Sequence, residues 1–304
     1  MTSGELNLSI VIASLQPGPV ILDCLSLLET QRRSDVEILV VDAGADGIVE
    51  QVRARFPWVR LIEAPAAARS LPRLRGLGMA AAAAPVVGVL DAWCLVSEGW
   101  IDDAIRVHRE RPEFVAGGGV ELAASERQSL RAWATYLFDY WEFVPPFSSG
   151  YVNVLPGNNI TYKRAALPNN ETLRADGFWK AFTNARLKES GHRLWGSPGL
   201  AVQLRRRLPL GRFCRSRYHH GRSYAAMRVE GAAWANRCRW ALVAPGLPLL
   251  FLTRQLRGLA GKRGARGWFA VCVPLLLAFH VSWAWGELCG YLLGAGGSHD
   301  AIRS

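Results

Sequence analysis

Over its first 120 residues the chain alternates between two hydrophobic spacings. LSIVIA (Leu8–Ala13), VEILVVD (Val36–Asp42), WVRLIEA (Trp58–Ala64) and PVVGVLD (Pro85–Asp91) are short runs rich in β-branched residues. That is the pattern of strands buried on both faces. Between them, apolar residues recur at helical spacing over Val20–Gln31, Gly47–Phe56, Leu71–Ala83 and Gly99–Glu110. Strand–helix alternation with short connections predicts an α/β fold on a doubly wound, mostly parallel sheet. Ligands of such sheets bind beyond the carboxyl ends of the strands, near the topological switch point. Ala13, Ser14, Asp42 and Asp91 stand at such ends.

From Gly117 to about Val202 the spacing changes. FVAGGGVEL reads as one more strand, RAWATYLFDYWEF as an aromatic helix and ITYKRAAL as a further strand after a Pro/Gly/Asn loop. This stretch reads as a second half of the same domain. The division expected is therefore 1–120, 121–203 and a separate tail, 204–304. In the tail, Trp240–Thr253 is apolar but holds two prolines and is short for a span, which predicts an interfacial or re-entrant segment. Gly267–Gly294 is long enough to cross a bilayer and has aromatics towards both ends. Arg254, Arg257, Lys262, Arg263 and Arg266 precede it, so its N-terminal side is expected in the cytoplasm. The alternative is a buried pair of core helices. On the membrane reading, deleting everything from Trp240 onward is expected to release a soluble domain.

Charge sharpens this picture. The net charge is +11, and between Leu204 and Gly267 the arginines recur with Glu230 as the only acid. Such a bias suits phosphates or an anionic membrane surface. No nucleic-acid partner is expected, because no recognised binding motif accompanies the arginines and they run directly into apolar segments. The six cysteines show no CxxC spacing and read as reduced, mostly buried thiols. The N-terminus lacks the basic region and long apolar stretch of a signal peptide, so the chain is expected to start in the cytoplasm.

The candidate chemistry lies at the strand ends. GLGMAA (Gly76–Ala81) fits the dinucleotide fingerprint in letters only, because no strand immediately precedes it; it reads as a small-residue helix face packed on the sheet. A carboxylate at Asp42 can accept hydrogen bonds from a nucleoside or cap a helix. Arg75 can neutralise a diphosphate or sit solvated on its helix. Asp91 can bind ribose or a divalent cation, or simply end its strand in a turn. On one helix, adjacent His219 and His220 diverge and do not form a metal pair.

The order ASL, LVVDAG, LPRLRGLGMAAAAAPVVGVLDAWC, LPGNNITYKRAAL, ARLKESGHRL resembles the family 2 glycosyltransferases. Their motifs run SVVIPTYN, VVDDGSTDG, ARNxGxxxAxG, FLDxD, xxGxNxxxRRxxL and xRLxxxGxRL. The resemblance covers about Leu8–Val202. It implies a GT-A-like sheet made of a nucleotide half and an acceptor half, followed by hydrophobic helices. It also implies a nucleotide-diphospho-sugar donor bound by Ala13, Ser14, Asp42, Arg75 and Asp91. Asn158 and Asn159 then fall on the acceptor side, and Arg217, His220 and Arg222 clamp the diphosphate. The implied reaction is sugar transfer with inversion to a lipid-linked or polysaccharide acceptor, at a membrane and on its cytoplasmic side.

Two positions depart from the pattern. The second carboxylate of DxD is Trp93, and the ED pair that supplies the family's base is Trp179–Lys180. Neither indole nor ammonium does a carboxylate's work. Asp176 is the candidate displaced base, ahead of Glu98, Glu121, Asp139 and Glu142. Asp91 alone is left as a candidate metal ligand, so Mg²⁺ or Mn²⁺ is expected to bind weakly or to be dispensable. A catalytically degenerate binding or scaffold protein at the membrane is the alternative reading.

Overall fold

The structure, a computed structural model, describes residues 5–15, 18–43, 47–65, 68 and 70–302. The chain begins β1 (Leu8–Ser14), α1 (Val20–Glu29), β2 (Val36–Asp42), α2 (Ile48–Arg55), β3 (Arg60–Glu63) and α3 (Leu71–Ala81). It continues β4 (Val86–Asp91), β5 (Cys94–Val96), α4 (Trp100–Glu110), β6 (Val115–Gly117), β7 (Val120–Leu122) and α5 (Leu130–Tyr140). Next come β8 (Gly150–Val152), β9 (Asn159–Lys163), α6 (Asn170–Asp176), α7 (Lys180–Glu189), β10 (Leu194–Gly196) and β11 (Val202–Leu204). The helices α8 (Leu210–Arg228), α9 (Trp234–Val243), α10 (Leu247–Gly258) and α11 (Arg263–Leu293) complete it. Two compact units result: residues 1–121 with 145–205, and residues 122–144 with 206–304.

The first unit is built on an eight-stranded sheet of order β3-β2-β1-β4-β9-β6-β10-β8. Strands β3, β2, β1 and β4 are parallel. The chain runs outward from β1 to β3 and then returns to the other side of β1 as β4. The switch point therefore lies at β1 and β4, and the site is expected there. β9 joins antiparallel to β4, with Leu90 opposite Asn159, so the loop entering β9 adjoins the end of β4. A small sheet, β5-β11-β7, accompanies it.

The four N-terminal strands and the helices between them form where the spacing places them. FVAGGGVEL, expected as one strand, is instead two, and they lie in different sheets. The break falls at Gly118, where a Cβ would overlap the Leu200 carbonyl. Only glycine lets the two segments approach so closely.

α3 covers one face of the sheet. Leu74, Met79 and Ala80 pack over Val11, Ala13, Leu39, Val41, Val87 and Val89. Each large apolar side chain buried there contributes about 1.5–3 kcal/mol. A Cβ on Gly78 would overlap Val11, so GLGMAA is indeed a small-residue face seated on the strands.

The second unit is helical. Residues 122–144, grouped by the sequence with the acceptor half, cluster with the C-terminal helices. α8 and α11 pack backbone to backbone: Cβ atoms on Gly286 and Gly290 would overlap the carbonyl oxygens of Tyr218 and Arg222. Phe138 of α5, Phe213 of α8 and Phe279 of α11 meet at centroid distances of 4.6–5.8 Å. Trp240–Thr253, expected as an interfacial or re-entrant segment, is the end of α9, a short turn and the start of α10. Among the described residues α11 is the one helix long and apolar enough to cross a membrane.

Candidate active site

The carboxyl ends of β1, β2 and β4 carry two buried acids. Asp42 is 2% exposed and Asp91 7%. Hydrophobic runs that end on a charge leave it at the rim of the core, where each carboxylate needs a partner. Asp42 has the Ser14 hydroxyl, which donates to its Oδ1 at 2.5 Å. Asp91 has the Arg75 guanidinium, with Nη2 2.5 Å from Oδ1. Register sets Ser14 beside Asp42 and Ala13 beside Asp91. Strand alternation therefore sends the two carboxylates to opposite faces at one edge of the sheet.

Arg75 reaches Asp91 because α3 lies on the strands through Gly78, and because its next residue packs on α6 and on Gly177 just after it. A Cβ at Gly76 would overlap the Leu173 carbonyl. Gly177, at φ +78°, lies against the backbone of Pro72 and Arg73, and the Phe178 amide donates to the Pro72 carbonyl at 2.7 Å. The field of Asp91 is felt nearby. Burial pushes the Cys24 thiol up to about 12, with Asp91 adding to the rise. The Cys94 thiol is raised in the same way.

The loop into β9 forms the other wall. The Asn158 carbonyl accepts the Asp91 amide at 3.2 Å. The Asn158 side chain, 1% exposed, donates to Cys94 Sγ at 3.3 Å, and its Oδ1 has no hydrogen-bond partner. Asn159 is fully buried; its Oδ1 accepts from Trp100 Nε1 at 3.1 Å and its amide nitrogen donates to the Leu200 carbonyl. Asn159 thus ties β9 to α4 and to the 200 segment. Two cations lie close to Gly157: a Cβ there would be 3.7 Å from Lys180 Cε and 3.9 Å from Arg75 Nη1. Lys180 Nζ donates to the Leu155 carbonyl at 2.9 Å. The sequence named Lys180 only as the residue standing where the resemblance places the base, and unable to act as one. Its neighbourhood with Arg75 arises from contacts between segments about a hundred residues apart, and no local pattern carries that.

The other candidates stand on other segments of the chain. Trp93 is half-buried in the turn after β4, its carbonyl accepting the Arg205 amide at 2.9 Å. Asp176 is exposed at the end of α6, and its carbonyl accepts from Trp179 Nε1 at 3.2 Å. Arg217, His220 and Arg222 are on α8 in the second unit. Arg217 is buried there on Asp139 at 2.7 Å, and Arg222 Nε donates to the Gly294 carbonyl at 2.9 Å. The His220 ring lies 5.1 Å from that of Trp283.

The eight-stranded α/β sheet is a GT-A-like fold. The family described as "Glycosyl transferase family 2" matches residues 9–167, over half of the chain, and the chain belongs to that family. Solved structures share the fold. The mannosyltransferase PcManGT of Pyrobaculum calidifontis, in complex with GDP-Man and Mn²⁺, is 16% identical over 93% of this chain and 87% of its own, with a TM-score of 0.56. TarS 1-349 of S. aureus, in complex with UDP-GlcNAc, is 13% identical over 67% of this chain and 60% of its own, with a TM-score of 0.52. GalNAc-T7, with UDP, GalNAc and Mn²⁺, is 13% identical over 67% of this chain and 45% of its own, with a TM-score of 0.50. The present chain thus spans less than two thirds of the length of TarS 1-349 and of GalNAc-T7. No curated protein matches the chain.

A divalent ion, as found with two of these proteins, needs several hard oxygen donors. The described residues hold no group of three or more His, Cys, Asp or Glu able to ligate one. Asp91 is already paired with Arg75, and the position two residues on is an indole. Among the described residues, the side chains do not fit a protein-held metal.

Proposed function

We propose that this chain is a membrane-associated glycosyltransferase that takes a sugar from a nucleotide-diphospho-sugar. The observation that carries the reading is the pair of buried acids flanking β1, with Arg75 on one of them. In this reading Ala13, Ser14 and Asp42 hold the nucleoside, and Asp91 and Arg75 take the ribose and the diphosphate. An acceptor hydroxyl attacks the anomeric carbon and the nucleoside diphosphate leaves, which inverts that carbon. Asp176 is the acid proposed to receive the hydroxyl proton. The acceptor is lipid-linked or an envelope polysaccharide. Exposed apolar side chains on α9, α10 and α11, among them Leu242, Leu249, Val271, Trp285 and Leu293, suit lipid contact. The arginines before α11 suit the cytoplasmic side.

The experiment is turnover by the full chain in detergent with a panel of UDP- and GDP-sugars. Release of free UDP or GDP above the background without protein is the expected result, lost in Asp42→Ala. Trp93 and Lys180 favour a second reading, a binding protein without turnover. Tight nucleotide binding with no release from any donor would establish that one instead.

A further inference from the structure

α11 has the length and apolarity of a membrane span, yet the helices packed along it carry exposed charge. α8 runs beside it in the same direction. Ser282 Oγ donates to the Cys214 carbonyl at 2.6 Å, and Cβ atoms on Gly286 and Gly290 would overlap the carbonyl oxygens of Tyr218 and Arg222. Arg215, exposed, is next to Cys214 and so level with Ser282. Nearer the start of α11, Cys272 Sγ donates to the Leu130 carbonyl at 3.8 Å, and the exposed Arg131 is next to Leu130. Crossing a bilayer takes about 20 residues. Any such stretch between Gly267 and Leu293 contains Ser282, so a crossing would draw Arg215 into the hydrocarbon, where charge is costly.

The outward side of α11 is different. Val271, Pro274, Leu277, Val281, Trp285 and Leu293 are exposed, and every exposed residue from Ala270 to Leu293 is apolar. Spacings of three and four residues hold the first five on one stripe along the helix. Exposed cations adjoin it: Arg263 and Arg266 at the start of α11, with Arg254 and Arg257 on α10. The chain has no Asp or Glu between residues 231 and 286. A second copy set face to face would bring these cations against their own kind, whereas anionic headgroups complement them.

We infer that the second unit seats the α11 stripe in one leaflet of an anionic phospholipid bilayer without crossing it. The helix lies in the plane of the interface, and the residues before and after it stay on the same side. This rests on the membrane association proposed above and not on the reaction.

The test places epitope tags before Met1 and after Ser304 of the full chain and treats sealed membrane vesicles, cytoplasmic face outward, with protease. Loss of both tags is the expected result. A protected C-terminal tag beside a cleaved N-terminal one would show a crossing helix and overturn the inference, leaving the membrane association intact. Flotation of the purified chain gives a second readout. Vesicles of phosphatidylcholine with phosphatidylglycerol are expected to bind several-fold more protein than phosphatidylcholine alone, and less as salt rises. Val281→Glu with Trp285→Glu is expected to lower that binding roughly tenfold or more. Both side chains are exposed, so the melting temperature should hold. Binding of that variant as tight as the parent's would rule out the stripe. If the chain floats with neither vesicle, the membrane association fails too, and a dimer split by the same variant would assign the stripe to a second copy.

Discussion

Asp42 is almost fully buried and its Oδ1 accepts the Ser14 hydroxyl, so its carboxylate is held in one orientation at the end of β2. Asp42→Ala is expected to weaken UDP or GDP binding about tenfold or more, since each charge-assisted hydrogen bond is worth roughly 1.5–3 kcal/mol. Calorimetry on folded variant and parent checks it. His108 makes a different kind of prediction. It is buried, 2.8 Å from Thr161 Oγ1, and burial, with Lys163 adding, lowers its proton affinity to about 4. In the unfolded chain it titrates near 6.5. Between those values the unfolded state binds more protons, so this contribution to stability is present above about pH 6.5 and falls as pH drops towards 4. The full loss is on the order of 3 kcal/mol. Urea unfolding at pH 7 and pH 5 should show the decline, and His108→Gln should flatten it.

At the scale of elements, the seating of α3 decides whether Arg75 meets Asp91. Gly76 touches the Leu173 carbonyl, and Gly177 touches the Pro72–Arg73 backbone. Both contacts are with main chain, which cannot swing aside as a side chain can. Gly76→Ala is therefore expected to shift α3 away from the segment after α6, costing about 1–3 kcal/mol or more and weakening nucleotide binding with it. Gly211, whose Cβ would meet nothing within 4 Å, is the control at which the same change should be silent towards binding. Thermal melting and UDP titration on the two variants separate the outcomes.

At the scale of the whole molecule, the second unit behaves as one packed body. Asp139 lies between Arg206 and Arg217, at 2.6 and 2.7 Å, with all three side chains at most 12% exposed. Burial opposes ionisation of Asp139, yet Arg217 and Arg206 hold its carboxyl below the ordinary value. Asp139→Asn removes the carboxylate between two buried guanidiniums and is expected to destabilise the unit by about 3–5 kcal/mol. A lowered melting temperature in detergent, or loss of detergent-extractable protein, would report it. The same packing revises the truncation expected from sequence. Removing residues from Trp240 onward strips α11 from α5 and α8, exposing Phe138 and Phe213. The shortened chain is expected to aggregate rather than yield a soluble domain, as size-exclusion chromatography would show.

The sequence by itself determined that β1 to β4 share one mostly parallel sheet, with acids at the carboxyl ends of its strands; their order across the sheet came from the tertiary structure. Strand and helix spacings are local properties, and a strand that ends on Asp places that Asp at the carboxyl end wherever the sheet goes. It also carried Arg75, through its distance from Asp91 along a recognisable motif. It read FVAGGGVEL as one strand, because the carbonyl that breaks it belongs to Leu200, far along the chain. It grouped 122–144 with the sheet, because an amphipathic helix shows that it has an apolar face but not which partner covers that face. Only the tertiary structure brought Lys180 to Arg75. That approach depends on Gly76 and Gly177 letting two backbones touch, and the energy of such a contact lies in long-range packing that no spacing along the chain records.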